Sequence, residues 1–191
     1  YGQPDELPVT ENAPIKPAES PYGNTKQISE EIIRDNMQVK PDLNTIALRY
    51  FNPIGAHSTS HIGELPRGVP NNLVPFVTQT AAGIRKELMV FGDDYNTPDG
   101  SAVRDYINVV DLAQAHVVAI NRLLQKKNNS NFEFFNLGTG TGSSVLEVLK
   151  AFEKVTDQKL NYKIVDRRSG DIEKVWADTR VANEVLGWKA K

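Results

Sequence analysis

Tyr22 and Lys26 are the first pair whose types and spacing could do chemistry. In Ser20-Pro21-Tyr22-Gly23-Asn24-Thr25-Lys26 they stand four residues apart, and on a helix that spacing puts both side chains on one face. An unperturbed phenol titrates near pH ~10, so it needs a nearby cation to take a proton near neutrality; Lys26 and a helix N-terminus could supply that field. The same spacing also occurs on solvated helices, so the pair gains meaning from its company. Arg104 and Arg168 are candidates for gripping phosphate, because guanidinium offers donors in a fixed fork. Their alternative is a structural ion pair. For Arg168 the adjacent Arg167 favours the phosphate reading, since neighbouring like charges are costly without an anion.

Gly138-Thr-Gly140-Thr-Gly142 follows an expected strand and precedes an expected helix, as a dinucleotide loop would. The spacing is G-x-G-x-G, however, and Asp157 lies before the next strand rather than at its end, where a ribose-binding acid belongs. The favoured reading is a tight turn with a capped helix, Ser144 and Glu147 forming a capping box. His57 and His61 have no intervening glutamate and no third credible ligand, and His116 falls inside a helical pattern, so no metal site is expected.

The elements that must position these residues alternate between strand and helix patterns. A helix is expected from Pro21 to Met37, a strand over Thr45–Phe51, a long loop over 54–70, a helix from Asn72 to about Lys86 and a strand over Leu88–Phe91. Beyond the turn-rich Gly92–Gly100 come a strand over Arg104–Val109, a helix to Leu124 and a strand over Phe132–Leu137. A helix from Ser144 to about Val155, a strand over Leu160–Val165 and a short helix over Arg180–Leu186 complete the chain. Such alternation predicts an α/β fold with a largely parallel sheet. Composition agrees with a globular chain: 39% of the 191 residues are hydrophobic and 24% charged, and the formal net charge is -2. The charges gather into no block of one sign, which argues against a nucleic-acid partner. There is no cysteine, so thiolate chemistry and disulfides are excluded and a reducing compartment fits. With no apolar run long enough to span a bilayer and no signal-peptide pattern at the start, the expectation is a cytoplasmic protein without a membrane partner.

The SPYGNTK helix, Arg49-Tyr-Phe-Asn-Pro-Ile-Gly-Ala56, Asn71-Asn-Leu-Val-Pro75 and Val103-Arg-Asp-Tyr-Ile107, in that order and spacing, resemble the extended short-chain dehydrogenase/reductases that act on nucleotide sugars. Within them RYFNPIGAH, VFGDDYNTPDG and RRSGD followed by WAD resemble the UDP-glucose 4-epimerases, over the whole chain. The resemblance implies the C-terminal portion of a Rossmann-type parallel sheet domain (1–56 and 103–138) plus a smaller α/β substrate domain (57–102 and 139–191). It also implies bound NAD, a UDP-sugar substrate and a homodimer formed through the Tyr22 helix. In such proteins a glycine-rich phosphate loop opens the chain and a catalytic serine or threonine lies just before the position of Tyr1. The expectation is therefore a longer protein lacking its N-terminal part here, with this piece inactive alone.

Carried over position by position, Tyr22 accepts the proton of the sugar 4-hydroxyl, and Lys26 holds the nicotinamide ribose and lowers the tyrosine pKa. Tyr50 and Pro53 line the nicotinamide pocket, and Asn52 meets the substrate. Asn72 and Leu73 reach the diphosphate and nearby nucleotide; Met89, Val90 and Phe91 face uracil. Arg104 and Arg168 clamp the diphosphate with Tyr106 beside them, Asp171 binds a ribose hydroxyl, and Val175 flanks the sugar. Valine there, in place of a bulky tyrosine, leaves room for an N-acetyl group. The implied reaction interconverts UDP-glucose and UDP-galactose by transient C4 oxidation. Its alternatives are a nucleotide-sugar 4,6-dehydratase and an inactive UDP-sugar-binding piece.

Overall fold

A serine ahead of a proline starts the first helix. Ser20 is extended and its Oγ accepts from the Gly23 N–H at 3.1 Å, while Pro21, with no N–H to lose, fills the first position of α1 (Pro21–Val39). The computed structural model describes residues 1–18 and 20–191. In it α1 buries no residue, and Ile28 and Ile32 are 43% and 54% exposed.

The strands follow as β1 (Thr45–Tyr50), β2 (Asn52–Ile54), β3 (Leu88–Phe91), β4 (Val103–Arg104), β5 (Tyr106–Asn108), β6 (Phe132–Leu137), β7 (Ser143–Ser144), β8 (Tyr162–Val165) and β9 (Lys174–Val175). Between them run α2 (Leu73–Ala81), α3 (Val109–Leu124) and α4 (Val145–Thr156), and a π-helical turn spans Ala182–Leu186. Among the described residues ladders β1–β6, β2–β5, β3–β8 and β4–β9 are parallel and only β4–β7 is antiparallel. The parallel α/β expectation therefore holds, although the ladders are four short sheets rather than one. At Phe51, whose N–H bonds Leu137 O at 3.0 Å, the chain leaves β6 and takes β5 as its partner.

Two cores result. Ile107, Leu112, Ala115, Ala119, Phe135 and Leu137 form the first, completed by Ala182, Leu186 and Trp188. Val77, Leu88, Val90, Leu149 and Leu160 form the second. The tail 182–190 packs on the first core. Several details differ from the expectation. Helix α2 stops at Ala81, not Lys86, because Gly83 turns into the left-handed region (φ +72°), which glycine adopts without strain. The strand expected over Arg104–Val109 is cut by Asp105, and Val9 in the polar N-terminal stretch is 1% exposed and bridges to Ala177. No helix among the described residues is long and apolar enough to cross a membrane.

Candidate active site

Helix α1 carries Tyr22 and Lys26 on neighbouring turns, with the Lys26 Nζ 5.1 Å from the centre of the Tyr22 ring. Tyr22 is 70% exposed, and among the described residues neither the phenol nor the ammonium has a hydrogen-bond partner. Both heads are thus available to a ligand. Tyr50, at the end of β1, is 45% exposed and its ring centre lies 6.5 Å from that of His116. Asn52 and Pro53 continue on β2, where the Asn52 N–H bonds the Asp105 carbonyl at 2.9 Å.

A second group forms around β4. Arg104 Nη2 donates to Asp171 Oδ1 at 2.6 Å, Nη1 donates to the Val103 carbonyl at 2.8 Å, and Val175 is the register partner of Arg104 on β9. Arg104 and Asp171 are therefore paired with each other, the structural alternative raised for Arg104. Burial pushes the neighbouring Tyr106 phenol up to about 12, with Arg104 opposing and Asp171 reinforcing. A third group sits on β3: the Arg168 guanidinium stacks 4.5 Å from the Phe91 ring centre, while Met89 is half exposed. Val90 alternates inward and is 1% exposed in the second core, so its backbone alone can meet a ligand. Asn72 precedes α2 and donates to Glu64 Oε1 at 2.7 Å, and Leu73 opens the helix half-buried.

One inference from spacing needs correction. Arg167 does not leave an unbalanced charge beside Arg168, because it donates to Asp94 Oδ1 at 2.6 Å and lies 4.0 Å from the Tyr95 ring centre. Its hydrogen bond holds the Asp94 carboxyl below the usual range. The glycine-rich turn is filled from within. Asp105, fully buried, accepts from Thr139 N at 2.8 Å, Thr139 Oγ1 at 2.7 Å, Gly140 N at 3.2 Å and Ala177 N at 3.1 Å. A Cβ on Gly138 would stand 2.3 Å from Asp105 Oδ2, so only glycine fits. Sequence reading passed over Asp105, although its place between two site residues in VRDYI was the available signal. The capping box on α4 forms in both directions, and Asp99 adds a bond from the Ser144 hydroxyl.

The whole chain, residues 1–191, matches the family described as GDP-mannose 4,6 dehydratase. The chain belongs to that family. It is 50% identical over 191 residues to the UDP-glucose 4-epimerase of Drosophila melanogaster, covering all of this chain and 54% of the relative. It superposes with a TM-score of 0.94 and 48% identity on UDP-glucose 4-epimerase from Bifidobacterium longum in complex with NAD+ and UDP, covering all of this chain and 56% of that one. UDP-glucose 4-epimerase from Stenotrophomonas maltophila, with bound NAD and formylated UDP-arabinopyranose, gives 0.93 at 48% identity, with 100% and 55% covered. The chain thus spans about half the length of the relatives it matches.

No group of acidic, histidine or cysteine residues among those described could hold a metal ion. Two grooves, one lined by Glu6, Pro8, Gly140, Asp178 and Arg180 and the other by Tyr1, Asp5, Asn12 and Pro14, share no residue with the three groups above.

Proposed function

We propose that the intact protein interconverts UDP-glucose and UDP-galactose through a transient 4-keto sugar, using bound NAD. The observation that carries this is the exposed Tyr22–Lys26 pair on one helix face, without a hydrogen-bond partner among the described residues, in a chain half identical throughout to a UDP-glucose 4-epimerase. The residues present fit the nicotinamide-ribose end of the cofactor: an exposed ammonium, a phenol and the exposed Tyr50 ring beside Pro53. The glycine-rich turn is not a pyrophosphate cradle, because Asp105 fills it. NAD, when bound, supplies the reversible hydride acceptor at C4.

In this reading Tyr22 takes the proton of the 4-hydroxyl and returns it after the keto sugar has turned. Lys26 holds its ammonium beside the Tyr22 ring and hydrogen-bonds the cofactor ribose. Arg104 and Arg168 grip the diphosphate, Phe91 and Met89 face uracil, and Asp171 binds a ribose hydroxyl. Asn52, Asn72, Leu73, Tyr106 and the Val90 backbone complete the substrate wall, and Val175 flanks the sugar. Residues 1–56 and 103–138 serve the cofactor, and 57–102 with 139–191 serve the sugar nucleotide. We assign the intact protein to the cytoplasm and to a homodimer.

The family's description favours a second reading, dehydration of a nucleotide sugar to its 4-keto-6-deoxy form. Incubating the full-length protein with UDP-galactose and following products by NMR separates the two. UDP-glucose is expected, and a 4-keto-6-deoxy product overturns the proposal.

A further inference from the structure

The attachment of α1 to the sheet is polar. Arg49 on β1 sends Nε to Glu30 Oε1 and Nη2 to Glu30 Oε2, both at 2.7 Å, so the two planar groups meet in a two-bond fork. Its Nη1 donates to the Tyr1 hydroxyl at 2.9 Å and to the Glu11 carbonyl at 3.1 Å, and the guanidinium stacks 4.5 Å from the Phe134 ring centre. Arg34 adds a weaker contact to Glu30 at 3.4 Å. The Arg49 and Glu30 side chains are 14% and 16% exposed. Burial opposes the charge on Arg49, and the bonds from Glu30 and Tyr1 outweigh it.

Such a pair is conspicuous on a helix that buries no residue. Gln27 Nε2 donates to the Lys16 carbonyl at 2.6 Å and joins α1 to the N-terminal stretch, and the Arg34 guanidinium lies 5.7 and 5.5 Å from the Phe132 and Phe134 ring centres of β6. Tyr22, Lys26 and Glu30 follow one another every four residues, so anchor and reacting heads share a stripe of the helix only about 12 Å long at 1.5 Å per residue. Arg49 directly precedes Tyr50, which alternates to the opposite face of β1.

We infer that Arg49 and Glu30 are positioning residues for the reaction, their forked ion pair fixing where α1 lies along β1 and hence where Tyr22 and Lys26 stand relative to Tyr50. This rests on the reading of Tyr22 and Lys26 given above. A displacement of about 1 Å in a reacting group lowers rates on the order of 100-fold, while substrate contacts made by other elements persist.

The test uses the full-length protein with UDP-galactose, at a temperature where circular dichroism shows every variant folded. Glu30→Gln, nearly isosteric, turns one accepting oxygen into a donor facing the guanidinium. It is expected to lower kcat about 10- to 100-fold with KM changed less than about 3-fold. Arg49→Lys keeps the charge but not the fork, so it does not restore the rate, and the double variant is no worse than the poorer single one. A kcat within about 2-fold of wild type in Glu30→Gln, or a rise in KM at constant kcat, overturns the inference while leaving the proposed function standing. Should Arg49→Lys fail to fold, Glu30→Gln alone decides. Full activity in Tyr22→Phe, measured alongside, overturns the underlying reading and the inference with it.

Discussion

Asp105 and Thr139 meet twice: the backbone N–H and the hydroxyl of Thr139 donate to the same carboxylate oxygen, at 2.8 and 2.7 Å. A turn whose N–H groups converge on a point is how loops hold phosphate. Here the anion is part of the chain, and it ties the loop after β6, the segment after β9 and the start of β2 to one residue.

Replacing Asp105 with Asn turns an amide N–H₂ toward N–H donors on one side or the other. The expected loss is about 3 kcal/mol of stability, the scale for a buried charged acceptor left mismatched. Urea unfolding measures it, and a loss under about 0.5 kcal/mol would contradict the account.

Tyr22→Phe in the full-length protein removes the proton acceptor and almost no volume. Turnover should fall by at least about 100-fold with UDP affinity nearly unchanged. Steady-state kinetics paired with calorimetric titration of UDP checks both halves.

Arg104→Lys keeps a cation but gives up the two Nη donors that reach Asp171 and the Val103 carbonyl and, in the proposed function, the fork offered to the diphosphate. UDP binding is expected to weaken about 10-fold, whereas Lys159→Ala, at a side chain that is 92% exposed, should leave it unchanged. Equal affinities for Arg104→Lys and wild type would remove Arg104 from the phosphate site.

Arg122 and Glu133 form a forked pair at 2.7 and 2.8 Å, and Arg122 holds the Glu133 carboxyl below its usual range against the opposing effect of burial. A carboxyl depressed in the folded state stabilises above its unfolded pKa and loses that contribution as pH falls through the folded value. Glu133→Gln should therefore cost about 3 kcal/mol at pH 7, and the gap to wild type should close as pH drops from about 5 toward 3. Thermal melts across that range test the sign, and a constant gap would refute it.

Val175 pairs with Arg104 in β9 and is half-buried, so a larger side chain there projects beside the proposed sugar position. The wild-type protein is expected to turn over UDP-N-acetylgalactosamine, and Val175→Tyr to lose that activity selectively. Comparing kcat/KM for both sugars in both proteins decides it.

Elements with a strong local signature were readable. The Ser144–Glu147 box and β6 fall where the pattern puts them, because capping and a short run rich in phenylalanine are local properties. Asp105 was not readable, since its role is defined by donors 34 to 72 residues away. Val9 was hidden for the same reason: one buried residue in a proline-rich stretch has no periodicity, and its partner Ala177 lies near the other end of the chain. The Tyr22–Lys26 pair was found by spacing, whereas the ion pair beneath their helix joins residues 19 apart and left no pattern. Arg167 misled because Asp94, which balances it, is contributed by a distant turn.

A helix with no buried side chain contributes little to the cooperative unfolding of the whole. In this chain the amide protons of α1 should exchange with solvent through local opening, many turns of the helix fraying while Phe135 and Leu137 in β6 stay protected until the first core itself melts. The element bearing the reactive phenol is thus held by polar and cation–ring contacts, the forked Arg49–Glu30 pair foremost, rather than by a buried apolar face.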